Sequence, residues 1–252
     1  MDNLSGVLPV TGSDNSAAEP RLPRLLITAG PTHEAIDSVR YLANRSSGRL
    51  GIAIAEEAAI RGWPTTLLLG PTALGCSNTH VRTIRFVSTA DLGDLLAEHA
   101  PSCDCLIMAA AVADFRPAPG AEAGAAKVRR NEDGFTLHLE PTPDLLAAVS
   151  ENCTPDQCFV GFALEPRESL LASAKAKLLR KGVDLIVANP LETMDSEAIE
   201  ATLLGSDPEH PDEPRIVDST PGPIAKSAFA RWLLDRLCGR LSGDPEHGSR
   251  MV

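Results

Sequence analysis

Six short apolar runs recur along the chain of 252 residues, and they are the strongest constraint on its fold. Most of them are continuously apolar rather than alternating, which is typical of strands covered on both faces. Stretches with helical periodicity separate the runs. This order predicts an α/β protein with a doubly wound, mostly parallel sheet and helices on both faces. The predicted strands cover 24–30, 64–70, 81–86, 105–112, 158–165 and 184–190, and the predicted helices cover 48–61, 89–99, 143–151, 168–181 and 223–238.

Two segments interrupt this alternation and are predicted to form β-hairpins that project from the sheet. In 127–140, Asp133 and Gly134 supply the turn, and apolar residues alternate after it. In 201–219, two apolar runs flank a long acidic loop. Hairpins that project from a parallel sheet often serve as lids or as subunit contacts, so both are candidates for such a role.

The length is within the range of one α/β domain, and we expect residues 23–240 to form a single Rossmann-like domain. Residues 1–22 carry acids, Ser, Pro and Gly without an apolar core, a composition that predicts a disordered leader. Residues 241–252 are predicted to be a flexible tail.

The charge balance restricts the partners of the protein. With 23 Lys and Arg against 34 Asp and Glu, the formal charge is −11, which argues against nucleic acid but not against a small anion held by local groups. No run reaches 18 apolar residues, so no membrane span is expected. The six cysteines lack metal-like spacing and are expected to be reduced thiols of a cytoplasmic protein.

The turn before the first helix is a candidate anion site. Ser46, Ser47 and Gly48 would present N–H groups at the positive end of the helix dipole. Gly48, Gly51 and Ala55 share one helical face, which permits close approach to the sheet or to a ligand. The turn equally fits a simple helix cap. The G-x-G-x-x-G spacing of dinucleotide-binding folds is absent.

Several longer motifs occur together with this turn and identify a family. In chain order they are TAGPTHEAIDSVRYLANRSSGRLG, AAAVADFRP, KVRR, PTPDLL, VGFALE and AKAKLLRKGVDLIVAN. Together they resemble phosphopantothenate–cysteine ligase (phosphopantothenoylcysteine synthetase), the second activity of a bacterial bifunctional coenzyme A biosynthesis protein. The resemblance runs from about Leu25 to Asn189 and more loosely to Leu237, without the fused decarboxylase half. A stand-alone ligase is therefore expected.

The resemblance implies a reaction in two steps. The carboxylate of 4′-phosphopantothenate attacks the α-phosphate of CTP and releases pyrophosphate, and the amine of L-cysteine then displaces CMP. Mg²⁺ is implied as the companion of CTP, no flavin is expected, and family members pair as homodimers. Because negative charge moves in both steps, positioned cations and backbone N–H groups should supply most of the catalysis.

The resemblance also implies catalytic roles for two residues. Lys127 matches the lysine that supports acyl-nucleotide formation, although Arg129 and Arg130 stand where the family more often has lysines. Asn44 matches the asparagine that holds the acyl group and its intermediate. An amide suits this role because it both donates and accepts hydrogen bonds. Arg45 is carried over with it as a substrate-binding residue.

Nucleotide binding is carried over to residues from several of the motifs. Asp114 matches a residue near the ribose and the metal, and is the candidate metal ligand. Lys177 and Lys181, four residues apart on one helical face, would meet the triphosphate. The full set also includes Gly30, Ser46, Ser47, Gly48, Ala110, Ala111, Phe115, Lys127, Pro143, Asp144, Leu145, Leu146 and Phe162.

Two other functions compete with the ligase. A nicotinamide-dependent reductase of the short-chain type would need Tyr-x-x-x-Lys, whereas Tyr41 is followed four residues later by Arg45. An inactive nucleotide-binding homologue would retain the motifs without turnover. The region 190–220 departs from the family, since Pro190 follows Asn189 where an aspartate is common.

Overall fold

The computed structural model describes residues 21–119, 127, 134–194, 196–206, 210 and 213–241. The leader predicted for 1–22 and the tail predicted for 241–252 lie outside these ranges, apart from residues 21, 22 and 241.

Fourteen strands and five α-helices occur in the described residues, and the predicted strands and helices are all present. The strands are β1 (Leu25–Ala29), β2 (His33–Ala35), β3 (Tyr41–Ala43), β4 (Thr65–Leu69), β5 (Val81–Arg85), β6 (Cys105–Met108), β7 (Phe115–Pro117), β8 (Leu139–Pro141), β9 (Cys158–Glu165), β10 (Leu185–Pro190), β11 (Ala198–Ile199), β12 (Thr202–Gly205), β13 (Arg215–Ser219) and β14 (Ile224–Ala225). The helices are α1 (Arg49–Ile60), α2 (Thr89–His99), α3 (Leu145–Ser150), α4 (Leu170–Lys181) and α5 (Lys226–Leu241).

Eight strands form the central sheet in the order β13-β12-β10-β9-β6-β1-β4-β5. The six strands from β10 to β5 are parallel, and β12 and β13 add to the β10 edge in antiparallel orientation. Every residue of β1 is buried, which explains its continuous apolar run. The predicted Rossmann-like α/β fold is confirmed.

Both faces of the sheet are covered by helices. Helices α1 and α5 pack on one face, where Ile27 meets Ile54 and Phe229 in one apolar cluster. Helices α2, α3 and α4 pack on the other face, where Leu26 and Leu178 belong to a second cluster. Side chains of adjacent β1 residues point to opposite faces, so one strand contributes to both clusters. No helix in the described ranges is long and apolar enough to cross a membrane.

The two predicted hairpins have different outcomes. The hairpin at 201–219 forms from β12 and β13, but it continues the central sheet beside β10 instead of standing clear of it. Among the described residues of the predicted 127–140 hairpin, the strand β8 begins at Leu139, and it pairs with β7. Residues 134–138 have no regular structure, and 128–133 lie outside the described residues.

Helix α1 lies unusually close to β1 because Gly51 faces the strand. A methyl group added at Gly51 would lie 2.5 Å from Ala29 Cβ and 2.9 Å from the carbonyl oxygen of Thr28. Such distances are shorter than any contact that a real side chain makes, so only glycine fits here. This contact fixes the position of the first turn of α1.

We expect Gly51→Ala to destabilise the protein by about 1–3 kcal/mol, because overpacking forces α1 away from β1. Urea unfolding followed by circular dichroism measures the change. Gly75→Ala is the matched control, since nothing lies within 4 Å of its added methyl group. Equal stability of the two variants would contradict the close contact.

Candidate functional site

A cleft with a volume of about 970 Å³ opens at the carboxyl ends of the parallel strands. From β1 the chain proceeds to β4 and β5 on one side, and then crosses to β6, β9 and β10 on the other. Strand order reverses between β1 and β6, and open α/β sheets bind ligands at such a switch point. The first turn of α1 and the segment after β6 both line the cleft.

The structure brings most of the predicted site residues together in this cleft. They come from five separate segments of the chain and converge only in the fold. Those that line it are Asn44, Arg45, Ser46, Ser47, Gly48, Ala110, Ala111, Asp114, Pro143, Asp144, Leu145, Leu146, Phe162, Lys177 and Lys181.

Three predicted nucleotide-binding residues do not line the cleft. Gly30 lies beneath the cleft and has φ of 81°. A methyl group added there would lie 3.3 Å from the backbone nitrogen of Gly70, so glycine is needed because two backbone segments cross closely at this point. Phe115 is half exposed on β7. Lys127 is exposed, and the residues on both sides of it are outside the described ranges.

The Ser-Ser-Gly turn leaves the start of α1 weakly capped. Gly48 adopts a left-handed conformation with φ of 73°, and its N–H is 3.4 Å from Ser46 Oγ. The N–H of Arg49 is 3.5 Å from Ser47 Oγ, at the limit of a hydrogen bond. The first helical hydrogen bond is donated by Ile52 to the Gly48 carbonyl. The N–H groups of the first turn therefore remain suited to an anion in the cleft.

The amide of Asn44 has a fixed orientation. Its Nδ2 donates a 2.8 Å hydrogen bond to the carbonyl oxygen of Val112, which belongs to the segment after β6. Since this bond uses one donor, Oδ1 and the second N–H remain for a ligand. An amide held in this way can accept from one substrate group and donate to another.

A buried polar network positions the segment that follows β6. Thr32 Oγ1 accepts a 3.0 Å hydrogen bond from the N–H of Ala113 and lies 3.2 Å from Thr89 Oγ1. Thr89 donates its hydroxyl to Glu34 Oε1 at 2.7 Å, and its N–H to the same oxygen at 2.9 Å. Thr32, Glu34 and Thr89 are all buried. The network ties β2 and α2 to the wall of the cleft that carries Asp114.

The cations of α4 are held in place by partners within the cleft. Lys177 Nζ donates to the carbonyl oxygen of Phe162 at 2.5 Å. Burial lowers the pKa of Lys177 below its usual range, and the nearby charge of Lys181 lowers it further. Lys181 Nζ lies 2.7 Å from Asp144 Oδ1. An anion placed between the two lysines would relieve their mutual repulsion.

Asp144 also begins α3, because its side chain accepts a hydrogen bond from the N–H of Ala147 at 3.2 Å. Partial burial alone would raise the pKa of Asp144, but the hydrogen bond from Lys181 and that from Ala147 outweigh it, so the pKa lies below its ordinary value. The carboxylate is thus ionised at neutral pH and fixes both a lysine and a helix start.

The cleft is positive although the protein is negative. Six lysines and arginines line it against three carboxylates, while the whole chain carries a formal charge of −11. Opposing charges on the distant surface are screened beyond about 8–10 Å, so the local groups decide which ligands bind. The arrangement favours a small ligand with several negative charges.

Comparison with known proteins agrees with the family predicted from the motifs. Residues 22–235 match DFP, the DNA/pantothenate metabolism flavoprotein C-terminal domain. The chain belongs to this family.

Relatives and solved structures give the same result. The chain is 40% identical over 196 residues to the coenzyme A biosynthesis bifunctional protein CoaBC of Mycobacterium tuberculosis, covering 73% of this chain and 46% of that protein. It is 41% identical over 169 residues to a cysteine/cysteine sulfinic acid decarboxylase of an unknown prokaryotic organism, covering 67% and 46%. The chain thus spans about half the length of the curated relatives that it matches.

One solved structure, the C-terminal domain of a CoaBC protein, superposes with a TM-score of 0.69 at 32% identity. The match covers 88% of this chain and 97% of that domain. The chain therefore matches nearly the whole of that C-terminal domain.

Several residues that line the cleft were not predicted from the sequence of this DFP-family chain. Asn189 carried a usable signal, since a polar residue ends a buried strand at the edge where ligands bind. The others stand on helices, loops and strand ends, and their contribution to the cleft depends on tertiary placement. They include Arg49, Thr142, Glu165, Arg180 and Lys226.

We expect Thr32→Val to destabilise the protein by about 1–3 kcal/mol, because it leaves the Ala113 N–H without an acceptor. Urea unfolding measures the loss. Thr83→Val on exposed β5 is the matched control, and it should change stability by less than about 0.5 kcal/mol. A Thr32→Val protein as stable as this control would show that the network does not hold the cleft wall.

Proposed function

We propose that this chain joins 4′-phosphopantothenate to L-cysteine through an acyl-cytidylate intermediate, with CTP as the nucleotide, yielding 4′-phosphopantothenoylcysteine, pyrophosphate and CMP. The observation that carries this proposal is the positive cleft at the switch point, in which the weakly capped start of α1, the oriented amide of Asn44 and the lysines of α4 converge. The motif resemblance supplies the substrates, and membership of the DFP family supports it.

The first step would place the triphosphate against α4. Lys177, Arg180 and Lys181 line that part of the cleft. Because Lys177 is largely desolvated, its charge acts on a bound phosphate with little screening by water. The carboxylate of phosphopantothenate would then attack the α-phosphorus, and pyrophosphate would leave with the charge that these cations balance.

The acyl end of the intermediate would lie at the start of α1. Asn44, fixed by the Val112 carbonyl, offers an acceptor and a donor to the carboxylate and then to the acyl phosphate. The N–H groups of the first turn favour the α-phosphate at the same place. Arg45 lines the cleft beside them and contributes a cation toward the substrate.

Lys127 is proposed to support attack at phosphorus, and this role rests on the resemblance. The lysine is exposed and is not among the residues that line the cleft. A mobile point charge suits a phosphate oxygen that shifts during the reaction. The role therefore requires Lys127 to approach the cleft when substrates are bound.

Mg²⁺ is proposed to arrive with CTP as part of the substrate. Among the described residues, no group of three or more His, Cys, Asp or Glu side chains is arranged to hold a metal ion. Mg²⁺ usually binds through one or two carboxylates together with substrate phosphates, and Asp114 is the candidate carboxylate. When bound, the ion would neutralise charge on the phosphate oxygens.

Pyrophosphate release from purified protein with Mg²⁺, 4′-phosphopantothenate and cysteine tests the proposal. We expect release with CTP that requires phosphopantothenate and yields the cysteine amide, and parallel assays with ATP establish the nucleotide. Lys177→Met should raise the KM for CTP by at least about tenfold, since it removes a charge contact worth over 1.4 kcal/mol.

Lys175→Met is the matched control for this assay, because Lys175 is exposed on the same helix and does not line the cleft. It should leave the KM for CTP unchanged. Folded protein that releases no pyrophosphate with either nucleotide would instead support an inactive nucleotide-binding homologue.

A homodimer is proposed through an apolar patch on two small β-ribbons. Val39, Tyr41, Phe115, Phe135 and Leu139 are between 45% and 61% exposed. They lie on or beside β2–β3 and β7–β8, which are outside the central sheet. Soluble monomers seldom expose large contiguous apolar patches, so a second copy is the proposed cover. The 201–219 hairpin, the other candidate from the sequence, extends the central sheet.

We expect Phe115→Glu to shift the protein from dimer to monomer in sedimentation velocity, because a charge in an apolar interface is costly to desolvate. Ile216→Glu, which changes another exposed apolar side chain on β13, is the matched control and should leave the dimer intact. A monomeric wild-type protein at micromolar concentration would contradict the proposal.

A further inference from the structure

One end of the cleft has no role in the mechanism described so far. It lies at the carboxyl end of β10, and we call it the β10 end. Its residues are Asn189, Thr193, Met194, Ile199 and Lys226. It combines an amide, a cation and two apolar side chains, and it is distinct from the cationic wall formed by α4.

Asn189 is the most informative residue of the β10 end. It is 8% exposed, and its Nδ2 donates a 2.9 Å hydrogen bond to Thr193 Oγ1, which in turn donates to the Pro190 carbonyl at 2.7 Å. These bonds fix the orientation of the amide. No buried side-chain oxygen or nitrogen of the described residues lacks a partner. Since Oδ1 accepts no hydrogen bond from these residues, it must open into the cleft as an acceptor.

Two contacts through Glu197 connect Lys226, the cation of the β10 end, to the first turn of α1. Arg49, in the first turn of α1, forms an ion pair with Glu197, and the distance between Nη1 and Oε1 is 2.5 Å. The carbonyl oxygen of Glu197 accepts a hydrogen bond from the N–H of Lys226 at 3.3 Å. These contacts hold the start of α5 near the start of α1, and Lys226 lines the cleft.

We propose that the β10 end is the subsite for the amino acid substrate, cysteine, a proposal that rests on the ligase function. Of the three reacting groups, the carboxylate and the phosphates offer acceptors alone, whereas the amine of cysteine donates N–H groups that the open oxygen of Asn189 would accept. Lys226 would attract the carboxylate of the amino acid. Met194 and Ile199 would contact the thiol, which behaves as a small apolar group.

The distances across the sheet suit this assignment. In the strand order, β10 is separated from β6 by β9, which corresponds to roughly 10 Å at the usual strand spacing. That span accommodates an acyl group near Asn44 with an amino acid beside it. The amine would then face the acyl carbon from the β10 side.

The step at this subsite is aminolysis of the acyl-nucleotide. The ammonium of cysteine gives one proton to water, and its lone pair forms a C–N bond at the acyl carbon. The C–O bond to the α-phosphate breaks, and CMP departs with that oxygen. The nitrogen loses a second proton to water and becomes the amide. Asn189 acts by holding the amine in line, which lowers the entropy cost of the attack.

The two half-reactions allow a direct test. Acyl-nucleotide formation is measured as a single-turnover burst of pyrophosphate without cysteine, and amide formation is measured with cysteine varied. We expect Asn189→Leu to raise the KM for cysteine by at least about tenfold, as removal of a buried hydrogen-bond acceptor does. The pyrophosphate burst should retain its wild-type rate and its dependence on phosphopantothenate.

Asn152→Leu is the matched control, because Asn152 is an exposed asparagine outside the cleft whose Nδ2 is also hydrogen-bonded. Its KM for cysteine should stay near the wild-type value. Lys226→Met supplies a second readout with 2-aminoethanethiol, which is cysteine without its carboxylate. The wild type should have a lower KM for cysteine than for 2-aminoethanethiol, and Lys226→Met should use the two amines with similar KM values. This comparison can be made even if Asn189→Leu does not fold.

The outcomes are separable. An unchanged KM for cysteine in folded Asn189→Leu, or a raised KM for phosphopantothenate instead, would overturn the subsite while the ligase activity stands. If Asn189→Leu does not fold, a Lys226→Met protein that still prefers cysteine would overturn it. Absence of pyrophosphate from the wild type would overturn the ligase function and the subsite together.

Discussion

The close contact between α1 and β1 is the constraint on which the cleft depends. A methyl group added at Gly51 would lie only 2.5 Å from Ala29 Cβ, and one added at Gly48 would lie 3.2 Å from the backbone nitrogen of Gly30. The first turn of α1 is therefore held directly above the carboxyl end of the central strand. Without this contact, the N–H groups of that turn would not face the same space as the segment after β6. Glycine here serves packing first, and ligand binding follows from it.

The cleft carries an excess of positive charge, whereas the whole protein carries an excess of negative charge. A chain with an excess of acids places three cations of α4 beside a helix start and keeps Lys177 largely out of water. Partial burial disfavours the charged form of Lys177 and lowers its pKa. A bound polyanion would stabilise the charged form of Lys177, and this interaction would contribute to its affinity. Local arrangement, and not net charge, thus determines which ligands the protein selects.

Two asparagines with side chains oriented by hydrogen bonds line different parts of the cleft. Asn44 is oriented by a backbone carbonyl of the β6 side, and Asn189 by a threonine of the β10 side. Each retains a side-chain oxygen that can accept a hydrogen bond from a ligand in the cleft. In a reaction that exchanges an oxygen leaving group for an amine, such a pair would hold the acyl group and the incoming nucleophile separately.

The sequence by itself determined the sheet and the identity of the family. Continuous apolar runs specify buried parallel strands wherever both faces are covered, so all six were predicted within a few residues. The long motifs, such as GPTHEAIDSVRYLANRSSG, also predicted fifteen of the residues that line the cleft, many of them at strand ends and helix starts. The short ribbons β2–β3, β7–β8 and β11–β14 were not predicted, since two- and three-residue strands leave almost no periodicity.

Only the tertiary structure decided which residues share the cleft. Gly30 belongs to a matching motif, yet it lies beneath the cleft, because a backbone crossing with Gly70 occupies its open side. The 201–219 hairpin extends the sheet because its apolar residues pair with β10, which pattern alone does not specify. Asn189 and Lys226 line the same cleft as the α1 turn, although more than a hundred residues separate them from it along the chain. Periodicity encodes local conformation, whereas such meetings depend on the packing of the whole sheet.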